Sequence, residues 1–219
     1  SNVTWYARWI PIVYTINYNG NGATGGGTAS SSHTYDVPKA LTTNGFTREG
    51  FTFAGWSYSM GGTPAFANGA SVNNLTTING EQIELYAIWD INKYTIAYDG
   101  NGATGGATSP TLCTYNTNAA IADSGFTRTG YVFSGWSTEK DGKVTYKPGQ
   151  TVKNLTEKNG ETVILYAVWT PIKYKITFKD EDGDTFIGSY ADGVIDGVYG
   201  NTYRYVFQLG AQPVVEERE

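Results

Sequence analysis

The chain has 219 residues, with 15 Lys and Arg against 20 Asp and Glu, and a net charge of −5. Charged residues make up only 16% of it, glycine reaches 28 copies, and tyrosine leads the aromatics with 17. Weak acidity excludes the basic footprint that nucleic-acid binding needs. One Cys and one His exclude a disulfide framework and a Cys-rich metal site, and leave little for acid–base catalysis near neutral pH. No apolar run approaches the roughly 18 residues of a membrane span. Low charge with abundant Gly, Tyr, Thr and Val reads as a β-rich, extracellular chain. The opening Ser1-Asn2 reads as a scar on a fragment, so the lack of a targeting signal says nothing about the longer protein.

In chain order, Tyr6-Ala7-Arg8-Trp9 comes first and matches Tyr86-Ala87-Ile88-Trp89 at an offset of 80 residues, so it reads as the end of a preceding copy. Tyr14, Ile16 and Tyr18 then alternate with Thr15 and Asn17, which predicts a strand stopped by the Asn19-Gly20-Asn21-Gly22 turn. Asp36 as cap, Pro38 in the first turn and Gly45 as terminator predict a short helix between them. Phe51 and Phe53 alternate with Thr52 and Ala54 until Gly55 shifts the parity, which predicts a bulge turning Trp56 to the core. Asn79-Gly80 fits a tight hairpin turn. In the closing strand Ile83, Leu85, Ala87 and Trp89 share one face and Tyr86 and Ile88 the other, the pattern of a central strand.

The same elements return without a gap 80 residues on. Tyr94-Thr95-Ile96, Gly100 through Gly106, Gly125-Phe126-Thr127-Arg128, Gly135-Trp136-Ser137 and Leu165-Tyr166-Ala167-Val168-Trp169 repeat their first-copy partners. Such a unit exceeds a solenoid turn of roughly 20–45 residues and can enclose its own small core. The expected divisions are residues 1–11, a repeat tail and linker; 12–90 and 91–171, two modules; and 172–219, a divergent or incomplete third β module. Joints of two or three residues predict a semi-rigid rod. The predicted repeat core is Tyr14, Phe46, Phe53, Trp56, Leu85 and Trp89, with Tyr94, Phe126, Phe133, Trp136, Leu165 and Trp169 in the second copy.

The strings Gly50-Phe51-Thr52-Phe53-Ala54-Gly55-Trp56 and Gly130-Tyr131-Val132-Phe133-Ser134-Gly135-Trp136, with the closing Leu-Tyr-Ala-x-Trp of each copy, resemble the Listeria–Bacteroides repeat, the family of the internalin B B-repeat. The resemblance covers about residues 12 to 171. It implies a compact β-grasp-like fold and host proteins on bacterial surfaces or secreted, adhesins and invasins among them, beside the mainly β class, α+β at most, that the strand signals and one short helix per module predict. The chain departs from the family in a longer Gly-rich segment, residues 20 to 33, where ligand specificity is expected.

Each chemical motif has a competing structural reading. Gly20-Asn21-Gly22-Ala23-Thr24-Gly25 matches the dinucleotide fingerprint, but no helix start follows, so a flexible glycine hairpin loop is expected. His33 and Cys113 occupy equivalent positions of separate modules, which predicts variable loop or strand-edge residues and no dyad. Asp180, Asp182 and Asp184 lack calcium-loop spacing and read as an acidic turn. Asn2-Val3-Thr4, Asn74-Leu75-Thr76 and Asn154-Leu155-Thr156 match the glycosylation sequon and read as turns. The charges kept between copies, Arg48 with Arg128 and Glu81 with Glu161, read as folding residues, the arginines bonding loop carbonyls.

Catalytic, cofactor and metal residues are therefore expected to be none. Tyr58, Tyr199, Tyr203 and Tyr205, which lie outside the repeated set, are the candidates for contact with a host glycan or protein. The reading is a non-enzymatic extracellular spacer or stalk, monomeric, on a bacterial surface or secreted, with adhesion as an added role; a module binding host glycan or protein is the alternative.

Overall fold

The computed structural model describes residues 3–177, 194–198, 202–206 and 214–218, with side chains through residue 173. All its regular structure is β, and no helix occurs among the described residues. By contacts the chain divides into two compact units. The first is Ser1–Thr95 with Leu112–Asn118 and Lys153–Glu161; the second is Ile96–Thr111, Ala119–Val152 and Thr162–Glu219.

The first repeat has β1 (Val13–Asn19), β2 (Gly25–Gly26), β3 (Ser31–Thr34), β4 (Lys39–Ala40), β5 (Phe46–Thr47), β6 (Phe51–Ser57), β7 (Ser71–Val72) and β8 (Gln82–Ile91). Its main sheet runs β3-β1-β8-β6. β1 and β8 pair in parallel at the centre, and the outer strands are antiparallel to them. The second repeat has β9 (Lys93–Asp99), β10 (Gly105–Gly106), β11 (Thr111–Thr114), β12 (Ala119–Ala120), β13 (Phe126–Thr127), β14 (Tyr131–Ser137), β15 (Thr151–Val152) and β16 (Thr162–Pro171), with the sheet order β11-β9-β16-β14. Beyond it, β17 (Lys173–Thr177) pairs antiparallel with β18 (Val194–Val198), and β19 (Thr202–Val206) with β20 (Val214–Arg218).

The predicted bulge is present in both copies: the register slips between Phe53 and Gly55 and between Phe133 and Gly135. A Cβ on Gly55 would lie 2.6 Å from the Phe66 carbonyl, and the backbone there has φ near +147°, so glycine is required. The slip sends Trp56 and Trp136 inward, where both are fully buried. Around Trp56 pack Tyr18 at 4.7 Å and Phe53 at 4.9 Å, and Phe53 in turn meets Trp89 edge-on at 5.7 Å. Tyr98, Phe133 and Trp169 repeat the arrangement at 4.7, 4.9 and 5.8 Å. These spacings are those of tilted and edge-to-face aromatic pairs. Tyr14, Leu85, Tyr94 and Leu165 are buried, while Phe46, Phe53 and Trp89 are partly buried against the first core.

Two expectations are corrected. The helix after Asp36 does not form. Asp36 adopts φ +59°, its amide is held by Asn74 Oδ1 at 2.6 Å, and the segment then enters β4, which pairs with β7. Asn116 and Asn154 reproduce this at 2.6 Å in the second copy. A tertiary hydrogen bond thus overrides a local cap signal. Asn79-Gly80 makes a turn, but not a hairpin, because β8 pairs with β1 and β6 while β7 pairs with β4. The Gly-rich segment does join the antiparallel neighbours β1 and β3 as a hairpin loop would, and within it β2 is tied to β5.

Candidate functional site

The Gly-rich turn that resembles a phosphate cradle is bound into its own sheet. Asn21 takes φ +45° and donates Nδ2 to the carbonyls of Met60 at 2.8 Å and Ala87 at 2.7 Å. Trp89 Nε1 donates to Gly20 O at 2.9 Å. Asn101 and Trp169 make the matching bonds to Ala167 and Gly100, both at 2.9 Å. With donors spent on the sheet and a strand where a helix would start, the turn has no anion-binding helix terminus.

The charges kept between copies each have a partner that folding explains. Arg48 lies over the Phe51 ring at 4.0 Å, and Arg128 over Tyr131 at 4.0 Å. A Cβ on Gly22 or Gly102 would come within 3.4 Å of the guanidinium carbon, so the turn backbone flanks the cation. The arginines therefore act through cation–π stacking, where loop carbonyls were expected. Glu81 and Glu161 accept from the Thr76 and Thr156 hydroxyls. Those threonines belong to the sequons, whose Asn74 and Asn154 are engaged in the turns at Asp36 and Asn116.

His33 and Cys113 lie on the outer strands β3 and β11, but their side chains face inward and both are buried. His33 stacks on Tyr14 at 5.6 Å, and its Nε2 meets Ser31 Oγ at 2.9 Å. Its Nδ1 is buried without a partner, so the orienting acid of a catalytic triad has no counterpart at this pair. Burial, and then Lys39, hold the imidazole below its ordinary pKa. Burial pushes the Cys113 thiol up, although a hydrogen bond with Tyr94 partly offsets this. Among the described residues no group of three or more His, Cys, Asp or Glu could hold a metal ion.

Of the four tyrosine candidates, Tyr58 is 52% exposed and meets Phe66 edge-on at 5.5 Å. Tyr199 lies outside the described residues, as does the acidic turn at Asp180; Tyr203 and Tyr205 fall on β19, whose side chains are not described. An open groove of about 420 Å³ in the first unit is lined by Thr24, Arg48, Phe51, Asn92 and Lys158. Beside it Asn92 is held by Thr52 Oγ1 at 2.7 Å and donates to Glu157 O at 2.6 Å.

These doubled interactions are properties of one module built twice, and sequence comparison finds the same module. The Listeria-Bacteroides repeat domain matches residues 14–88 and 94–168. The chain belongs to that family. The family is one of repeat domains, not of enzymes, and occurs in bacterial surface proteins. The chain is also similar to two proteins of Evansella cellulosilytica. One, named "Putative Gly-rich membrane protein", is 33% identical over 62% of this chain and 16% of its own length. The other, named "Putative membrane protein", is 25% identical over 84% of this chain and 25% of its own length. The chain thus spans a quarter or less of the relatives it matches. Among the described residues no helix is long and apolar enough to cross a membrane.

Proposed function

We propose that this chain is a non-enzymatic, extracellular repeat region of a bacterial surface protein, serving as a spacer or stalk that holds a further domain away from the cell. One observation carries the reading: the residues kept between copies are engaged in folding, from the Trp56 and Trp136 clusters to the stacked Arg48 and Arg128. The membrane-protein names of the relatives support a surface setting. The parallel central pair flanked by antiparallel strands supports a β-grasp-like ancestry in which the segment after Asp36 replaces the helix. Small-angle scattering tests the stalk. A compact particle of 219 residues has a radius of gyration of about 17 Å. The stalk predicts a clearly larger value, and a value near 17 Å overturns it.

A second reading, recognition of a host glycan or protein, is favoured by Tyr58, which is half-exposed where the second repeat has Thr138. It predicts saturable binding on a glycan or host-cell array that drops at least tenfold in Tyr58→Ala. Absence of binding counts against it.

A further inference from the structure

The inner faces of the two sheets are near copies, whereas their outer faces differ in chemistry. On the first, Asn17 pairs with Glu84 across β1 and β8. Asn17 Nδ2 donates to Gln82 Oε1 at 3.1 Å, Asn19 Nδ2 to Glu84 Oε1 at 3.0 Å, and Tyr86 Oη to Glu84 Oε2 at 2.7 Å. This is a polar face suited to water. The counterparts of Asn17, Glu84 and Thr52 are Ala97, Ile164 and Val132. They lie on β9, β16 and β14, which are consecutive in their sheet. Strand alternation puts them opposite the buried Ile96, Leu165 and Ala167. Val132 is 57% exposed and Ile164 45%, and Tyr166 and Val168 on the same side are half-buried. An apolar sheet face of this kind is normally covered by a second layer.

We propose that this face is an interface between copies of the chain, the second repeat's sheet packing on the same sheet of another molecule. Charge selects that occupant. Each copy carries a net charge of −5, so two copies repel except where the approaching faces are neutral. The first repeat's outer face carries Glu84 and Asp90; the second has Ile164 and Thr170 there, with one charge of each sign, Lys93 and Asp99, at the two ends of β9. A two-fold axis through this face sets apolar residues against apolar residues with no carboxylates opposed at the centre. Three strands about 4.8 Å apart and about 20 Å long offer a footprint of roughly 300 Å². That is well below the roughly 800 Å² per partner of a standard interface, so the association is weak and reversible, and gains strength where many chains are held side by side.

Sedimentation velocity of the whole chain from about 10 μM to about 1 mM tests this, over the range in which weak interfaces of this class populate. The expected result is a sedimentation coefficient that rises with concentration. Ala97→Asn with Ile164→Glu, which installs the first repeat's own residues, should weaken association at least tenfold while circular dichroism stays unchanged. Should that double variant fail to fold, Val132→Thr provides the second reading, expected to weaken association several-fold. The converse pair, Asn17→Ala with Glu84→Ile, should strengthen it. A coefficient independent of concentration overturns the proposal, as does association that the variants leave unaltered. Glycan-array binding by a monomeric wild type, lost in the double variant, assigns the face to sugar and equally overturns it.

Discussion

Asn19 and Glu84 share a hydrogen bond on the outer side of the first sheet, where the second has Asp99 and Ile164. Four residues away along the same strand, Ile88 and Val168 differ by one methylene, and inside the sheet Leu85 and Ala87 recur unchanged as Leu165 and Ala167. The duplicated unit has thus been free to change where it meets solvent and constrained where it meets itself. Close-packed interiors feel a single methylene, while a solvated position can exchange a carboxylate for an isoleucine. Differences on the solvent side therefore mark what each repeat does beyond folding, while the interior keeps its residues apart from such exchanges as His33 for Cys113.

The aromatic centre gives the largest test of that division. Trp56→Ala and Trp136→Ala should each cost about 3–5 kcal/mol, measured by chemical denaturation. Trp→Phe separates the copies. Trp136 Nε1 donates to Ala122 O at 2.9 Å, whereas Trp56 Nε1 is buried without a partner. Removing the Trp136 indole leaves the half-buried Ala122 carbonyl short of a donor, and removing that of Trp56 relieves an unmet N–H. Trp136→Phe is accordingly expected to cost about 1–3 kcal/mol more than Trp56→Phe. Equal losses would show that the two centres are energetically the same.

Much of this centre was legible in the sequence, because Gly55 and Gly135 interrupt a two-residue period in front of a tryptophan and only a bulge reconciles the two. The turn at Asp36 was not. A cap residue, a proline and an alanine-leucine pair satisfy every local rule for a helix start, and the deciding contact comes from Asn74, 38 residues away. The same limit hid the parallel pairing of β1 with β8, which no local turn reports. The apolar outer face was visible in principle, by subtracting one copy from the other, but comparison of repeats draws attention to what they share. The role of Arg48 could not be read either, since stacking on Phe51 depends on how Gly22 approaches from a different loop.

Acid should divide the repeats next. His33 is 1% exposed and its folded pKa is lowered by burial and then by Lys39, while the equivalent position holds Cys113. The Ser31 hydroxyl and the Tyr14 ring complete its surroundings. The unfolded chain binds the proton more readily, so the stabilisation from neutral His33 is fully present above the ordinary histidine pKa of about 6.5 and is lost as pH falls toward the lower folded value. The slope cannot exceed about 1.4 kcal/mol per pH unit for a single group. Hydrogen exchange should show Ile16 and Leu85 losing protection between neutral and mildly acidic pH before Ile96 and Leu165 do, and His33→Cys should remove the difference. Simultaneous loss at both cores would show that another group governs acid stability.

The smallest expected effect concerns the stacked arginines, and it bears on whether a residue kept in both copies is kept for folding. Each guanidinium carbon lies 4.0 Å from its ring centroid, over Phe51 in one repeat and Tyr131 in the other. At such surface sites the interaction is worth about 0.5–1 kcal/mol. Arg48→Ala and Arg128→Ala should therefore each destabilise by about that amount, with similar values in the two copies. Arg→Lys should recover only part of the loss, since an ammonium cannot lie flat between a ring and a glycine backbone. A loss at Arg48 far above that at Arg128 would contradict a shared folding role, because the groove beside Asn92 is lined by Arg48 and a ligand there would make the first arginine unequal to the second.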